Sequence, residues 1–147
     1  MPLPGERADL RKALETHIEA ERSRDIEAIV ASLSDDPYYI VPGFELRGRA
    51  ALRAMYQRAM PALTPENSDE TLRALDDPAV TTWGPDHIIL EYTRDYPIHY
   101  GMVVIVRFAD GRVRSEHTFY SSAEGPPALA GSLEGTPGAT PVRRMTG

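Results

Sequence analysis

The chain has 147 residues, 41% of them hydrophobic and 26% charged, with a formal net charge of −6. That length suits one domain around one core, and the acidic balance argues against nucleic acid as a partner, because phosphate binding relies on basic surface. The absence of cysteine excludes disulfides, thiolate nucleophiles and cysteine-held metal.

Lysine occurs once, at Lys12, among charged residues on the outer side of a helix, so Schiff-base chemistry is not expected. No apolar run approaches the ~18 residues of a membrane span. Met1 to Leu10 is polar and has no apolar secretion core, so a cytoplasmic protein without membrane contact is expected.

Residues from about Glu6 to Arg22 read as a helix. Leu10, Ala13, Leu14, His17, Ile18 and Glu21 recur at the spacing of one helical face. A short second helix follows from about Asp25 to Leu33, with Ile26, Ile29, Val30 and Leu33 on one side and Ser23 or Asp25 as its cap. Ser34-Asp35-Asp36-Pro37 breaks it, since proline disfavours helical geometry in the residue before it. Tyr38 to Val41 is a short strand of good β formers, ended by the Pro42-Gly43 turn. A third helix runs from about Arg49 to Met60, with Leu52, Met55, Tyr56 and Ala59 on one face, and Pro61 and Pro65 stop it.

The remainder reads as β. Glu70 to Leu75 and Val80 to Trp83 are expected to form one strand interrupted at Asp76-Asp77-Pro78. His87 to Asp95 and Tyr100 to Phe108 are the next two. Asp110-Gly111 signals a tight hairpin leading into a last strand from Arg112 to Tyr120. The body is therefore expected to span residues 1–121, followed by a Pro- and Gly-rich tail over 122–147 that is mobile or draped over the body. Three helices followed by a strand meander is an α+β pattern. The expected architecture is a cone-shaped half-barrel, a curved antiparallel sheet wrapped around the long first helix with a ligand pocket between them.

Three segments carry a family resemblance. They are Arg24-Asp25-Ile26-Glu27-Ala28-Ile29-Val30 with Ser34-Asp35-Asp36, Gly48-Arg49-Ala50-Ala51-Leu52-Arg53-Ala54-Met55-Tyr56, and Phe108-Ala109-Asp110-Gly111-Arg112-Val113 running to Phe119-Tyr120. Over about Glu6 to Tyr120 the chain resembles the superfamily of nuclear transport factor 2, ketosteroid isomerase, limonene epoxide hydrolase, scytalone dehydratase and the SnoaL-like polyketide cyclases. The resemblance implies that fold, a homodimer through the convex sheet face and a small hydrophobic ligand. It does not carry one family mechanism across. His17 falls where the isomerases place an oxyanion-hole tyrosine, but their base and partner acid fall at Val41 and near Val104. The final-strand aspartate of the epoxide hydrolases falls at Thr118, and their other polar positions fall near Tyr92 and Arg94. The SnoaL-like cyclases are the nearest class.

Strand alternation divides the sheet faces, and the resemblance implies that Glu116, Thr118 and Tyr120 share the concave one, with Tyr100, Met102 and Val104 beside them and Tyr39 and Val41 on the first strand. His87, Glu91 and His117 fall on the opposite face. A one-residue slip would exchange Glu116 for His117. His17 and Glu116 are the candidate catalytic pair. An imidazole on an apolar helix face either is a core histidine satisfied by a tyrosine or carbonyl, or is a general acid/base. Glu116 on an apolar wall needs a partner, His17 or Arg94. Tyr39, Val41, Met55, Tyr92, Arg94, Tyr100, Met102, Thr118 and Tyr120 are the expected substrate-lining set. His17, His87, His99 and His117 lack a metal-building spacing, so neither metal nor cofactor is expected.

Three functions compete. The first is cofactor-free cyclisation, isomerisation or dehydration of a hydrophobic oxygenated metabolite such as a polyketide or terpenoid. The second is a carrier using the same pocket without chemistry. The third is a dimeric interaction module with a filled core.

Overall fold

A computed structural model describes Leu3 and residues 5–94, 100–120 and 135–141. Helix α1 (Ala8–Ser23) buries the expected stripe, with Leu10, Ala13, Leu14, His17 and Ile18 all inside. Arg24 ends it in the left-handed conformation, donating its backbone N–H to Glu21 O. Helix α2 (Ile26–Ala31) is capped by Asp25, whose carboxylate accepts from the backbone N–H groups of Glu27 and Ala28. Strand β1 (Leu33–Val41) begins five residues earlier than the sequence reading placed it. Its pairing register shifts between Leu33 and Tyr38, so Pro37 sits in an irregular stretch where its missing N–H disrupts no ladder. Strand β2 (Phe44–Arg47), which the sequence reading did not separate, pairs back on β1. Helix α3 (Arg49–Ala59) buries Leu52, Met55, Tyr56 and Ala59 as expected.

The largest correction concerns Pro65 to Leu75. This stretch is a helix, α4 (Pro65–Leu75), not a stop followed by a strand. Thr64 caps it by accepting from the Asn67 backbone N–H, and Pro65 occupies the first turn, where its lacking N–H has no partner to lose. Of the long strand expected there, only β3 (Thr81–Trp83) forms. Strands β4 (His87–Arg94), β5 (Tyr100–Ala109) and β6 (Arg112–Tyr120) follow the expected meander. Asp110 and Gly111, with φ of 55° and 72°, make the β5–β6 turn.

The strands run in the order β3-β4-β5-β6-β1-β2-β7, where β7 is Ala139–Pro141. All neighbours are antiparallel except β1 and β6, which are parallel. The long excursion between those two strands, through α3, α4 and β3 to β5, is what lets them run the same way. The sheet is curved and does not close, and α1 and α3 lie against its inner face.

Registers place one cross-strand row on that inner face: Trp83, Ile88, Val106, Glu116, Tyr39 and Leu46. Glu116 is the one charged member of an otherwise apolar or aromatic row. Leu52, Ile29, Leu33, Leu46, Ile88 and Val113 are fully buried around it, each contributing ~1.5–3 kcal/mol by leaving water.

Strand β7 lies within the tail and pairs with β2 across α3. Arg58 donates to Thr136 Oγ1 at 2.9 Å. Gly138 has φ of +81°, and a Cβ there would lie 2.6 Å from Ala51 Cβ and 3.2 Å from Ala51 Cα. Gly138→Ala is expected to cost ~1–3 kcal/mol in backbone strain and to undock β7. Faster amide exchange along β2, with β4 to β6 unchanged, is the expected readout; unchanged β2 protection would contradict it.

Candidate functional site

Helix α1 sets His17 beneath the inner face of the sheet, where it is 0% exposed. Its Nδ1 lies 2.7 Å from Ser32 Oγ, and Ser32 Oγ lies 2.6 Å from Ile29 O. A carbonyl oxygen can only accept, so the Ser32 hydroxyl proton points at Ile29. Ser32 Oγ must then accept from His17, and Nδ1 carries a proton whatever the charge of the ring.

The titrating position is therefore Nε2. Four oxygens from four elements surround it: Tyr39 OH at 3.2 Å from β1, Tyr56 OH at 3.3 Å from α3, Glu116 Oε1 at 3.3 Å from β6 and Glu21 Oε1 at 3.4 Å from α1 itself. A bare Nε2 lone pair facing two carboxylates would be repelled by both, whereas a protonated Nε2 is attracted to both. Burial pulls the His17 pKa down. The charge of Glu21, and then the hydrogen bond and charge of Glu116, outweigh burial and raise it above its ordinary value. That direction favours the doubly protonated ring beside the two carboxylates.

The phenols complete the network. Tyr39 OH and Tyr56 OH are 2.7 Å apart, so one phenol proton is shared between them and the other is directed at an acceptor. Burial first, then the nearby carboxylates, pushes both phenols well above their ordinary value, so they stay protonated donors. His17, Tyr39 and Tyr56 are sealed. Glu116 and Glu21, with side chains 20% and 22% exposed, are the part of the cluster that meets the outside.

This geometry fixes a pH dependence. A group whose folded pKa is raised stabilises the fold fully below its unfolded value, near 6.5 for histidine, and loses that contribution as pH rises through the folded value. Each unit of separation is worth about 1.4 kcal/mol. Unfolding free energy is thus expected to fall as pH rises above about 6.5, and His17→Gln should flatten that slope. Urea denaturation across neutral to alkaline pH checks it; identical slopes in the two proteins would contradict it.

The structure brings together His17, Glu116 and Tyr39 from the sequence-predicted set. Thr118 is buried one row further along β6, opposite Val104. Met55 is buried on α3, and Val41 is half-buried against the core. Tyr92, Met102 and Tyr120 share the next row and line an open groove of about 450 Å³ with Gly101, Val103, Glu91 and Phe119. Four residues of strand separate Tyr120 from Glu116, about 13 Å. The side chains of Arg94 and Tyr100, and all of His99, lie outside the described residues.

Of the two candidates for the inner wall, Glu116 points inward and His117 outward. His117 stacks on Phe119 with ring centroids 4.3 Å apart, and burial together with the Arg107 charge holds its pKa below the ordinary value.

Sequence reasoning left Glu21, Tyr56 and Ser32 out of the site. Glu21 had a usable signal, since it follows His17 by four residues on the same helical face. Tyr56 and Ser32 had none that would join them to His17.

The model of the SnoaL-like domain matches residues 14–116, a span that includes both His17 and Glu116. The chain belongs to the SnoaL-like family. Solved structures with the same fold include a steroid delta-isomerase from Pseudomonas aeruginosa, with a TM-score of 0.57, 14% identity, and coverage of 87% of this chain and 90% of that one. An NTF2-like protein from Burkholderia xenovorans LB400 has a TM-score of 0.56, 16% identity, and coverage of 90% and 98%. A de novo designed protein with a curved β-sheet has a TM-score of 0.55, 13% identity, and coverage of 89% and 96%. At these identities the SnoaL-like domain shares with them its fold alone. A comparison with curated proteins finds no match. Among the described residues of this SnoaL-like domain, no helix is long and apolar enough to cross a membrane.

Proposed function

We propose that this SnoaL-like domain is an enzyme performing cofactor-free acid/base chemistry on a hydrophobic, oxygenated metabolite such as a polyketide or terpenoid. The observation that carries the reading is Glu116. It is a partly exposed carboxylate in an apolar cross-strand row, backed 3.3 Å away by the buried His17 ring. Structural ion pairs also perturb pKa values; what supports a reactive role is that Glu116 reaches outward while the ring behind it is sealed.

In this reading Glu116 is the catalytic residue and takes a proton from carbon next to a carbonyl. The C–H electron pair becomes the enolate, and the proton rests on the Glu116 carboxyl. Return of the proton to a different carbon gives isomerisation. Loss of a β-hydroxyl, protonated as it leaves, gives dehydration. Attack of the enolate carbon on a second carbonyl, with the Glu116 proton passing to the alkoxide that forms, gives cyclisation. His17 is a positioning residue, since its full burial keeps it from the substrate. Tyr39 and Tyr56 hold the imidazolium and the carboxylate in place. One fold relative is named a steroid delta-isomerase, and isomerisation is one of the outcomes this proton transfer yields.

The test is a panel of β,γ-unsaturated ketones, β-hydroxy ketones and linear polyketone analogues, followed by absorbance of the conjugated product. Turnover of a member above the buffer rate supports the reading, and no turnover of any member counts against it. A homodimer through the outer face of β4 to β6, where Phe119 is 46% exposed, belongs to the same reading; a purely monomeric sedimentation profile would remove it.

The complete burial of His17 favours a second reading, a carrier that binds without chemistry. It predicts saturable binding of panel members that survives Glu116→Gln, with no turnover in either protein.

A further inference from the structure

Glu21 stands beside the same ring as Glu116 but takes no proton from substrate in the proposed chemistry. It stands one helical turn after His17 on α1, so its side chain returns to the same face. Its Oε1 approaches Nε2 to 3.4 Å, against 3.3 Å for Glu116 Oε1, and the two side chains are equally accessible. One carboxylate comes from the helix and the other from the sheet. A single N–H lies between them.

We infer that Glu21 is a positioning residue that shares the Nε2 proton of His17 with Glu116, while Ser32 fixes the ring so that Nε2, and not Nδ1, presents that proton. The inference rests on the proposed acid/base reading of the same cluster and adds to it how the buried charge stays balanced. When Glu116 accepts a proton from a substrate it becomes a neutral acid and ceases to compensate the imidazolium. With Glu21 in place, Nε2–H turns to the second carboxylate, and the ring remains paired through the cycle. No bond at His17 breaks, and the substrate proton stays on Glu116. Without Glu21, protonating Glu116 would leave a buried cation alone, a state that low-dielectric surroundings strongly oppose.

Among the described residues, the polar groups facing the ring are Ser32 from the C-cap of α2, Tyr39 from β1, Tyr56 from α3, Glu116 from β6 and Glu21 from α1. The two carboxylates are the charged ones. The charge of Glu21 and the hydrogen bond and charge of Glu116 all hold the proton on the ring.

The experiment is a pH titration of the His17 ring nitrogens by long-range proton–nitrogen NMR on 15N-labelled full-length protein. It compares wild type with Glu21→Gln, Glu116→Gln, Glu21→Asp and Ser32→Ala. Wild type should show both nitrogens protonated at pH 7. Glu21→Gln should lower the His17 midpoint by about one pH unit, a tenfold loss of proton affinity, and Glu116→Gln by a similar amount. Glu21→Asp, which keeps the charge, should recover part of the loss. Ser32→Ala should let the neutral ring, reached at high pH, move its proton from Nδ1 to Nε2.

A midpoint in Glu21→Gln equal to wild type, with Glu116→Gln lowered, makes Glu21 a bystander and overturns the inference. So does a neutral ring in wild type at pH 7. If Glu21→Gln fails to fold, Glu21→Asp carries the test, since a shared proton requires its midpoint to lie below wild type. Turnover is not part of this readout, so absence of activity on the panel would defeat the enzymatic reading and leave the titration to stand or fall alone.

Discussion

His17→Leu is expected to lower the unfolding free energy by about 3–5 kcal/mol, the range for removing one member of a buried charge set. The volume change is modest, so the loss is electrostatic rather than a cavity effect. Glu21 and Glu116 are left facing the same space without the cation between them, and Ser32 Oγ and the two phenols lose their common partner. Adding Glu21→Gln and Glu116→Gln to the leucine variant removes the uncompensated charge and should restore part of the stability. Coupling of about 0.5–3 kcal/mol is the usual range for groups in one network. Urea denaturation of wild type, His17→Leu, the Glu21→Gln/Glu116→Gln double variant and the triple variant measures it. Strictly additive effects would mean that the three side chains do not act as a unit.

Glu116→Gln should reduce turnover of any accepted substrate by about 10²–10⁴, the typical contribution of a positioned general base. Glutamine is close in shape and still accepts a hydrogen bond, so the fold and the binding step should survive. The loss should fall on kcat, with KM changed little, because the missing function is proton transfer and not ground-state binding. A rise in KM at unchanged kcat would instead make Glu116 a binding group and favour the carrier reading.

The helices and strands that carry the site were legible because their signals are local. The stripe from Leu10 to Ile18 repeats at helical spacing and fixed the face that His17 occupies. The Asp110-Gly111 turn marks the β5–β6 hairpin, but the pairing shifts between Arg107 and Phe108. The turn alone therefore leaves open whether Glu116 or His117 faces inward, and the inward placing of Glu116 rests on the family resemblance.

The misreadings are equally physical. In the sequence Pro65 reads as an end, although proline after a threonine cap is as good a beginning. The β-rich appearance of Glu70 to Leu75 gave way to that cap and to the packing of α4 against α1. Pro37 hid the first half of β1, because its tolerance depends on a register shift that only the partner strand creates. The parallel pairing of β1 with β6 is a property of the whole chain path, with no local signal. The meeting of Tyr39 with Tyr56 and the role of Ser32 are long-range contacts of the same kind. Glu21 was visible on the right face, but a glutamate on a helix reads first as solvated surface.

In the proposed chemistry Glu116, backed by the His17 ring, removes a proton from carbon. The most direct measurement of that step is the rate of deuterium entry α to the carbonyl in a panel of small cyclic and linear ketones in D2O, followed by proton NMR. Wild type should accelerate exchange of at least one ketone above buffer, with Glu116→Gln falling back toward the buffer rate. Equal exchange in wild type and Glu116→Gln, or none above buffer across the panel, would contradict the claim and leave the cluster as a buried structural network.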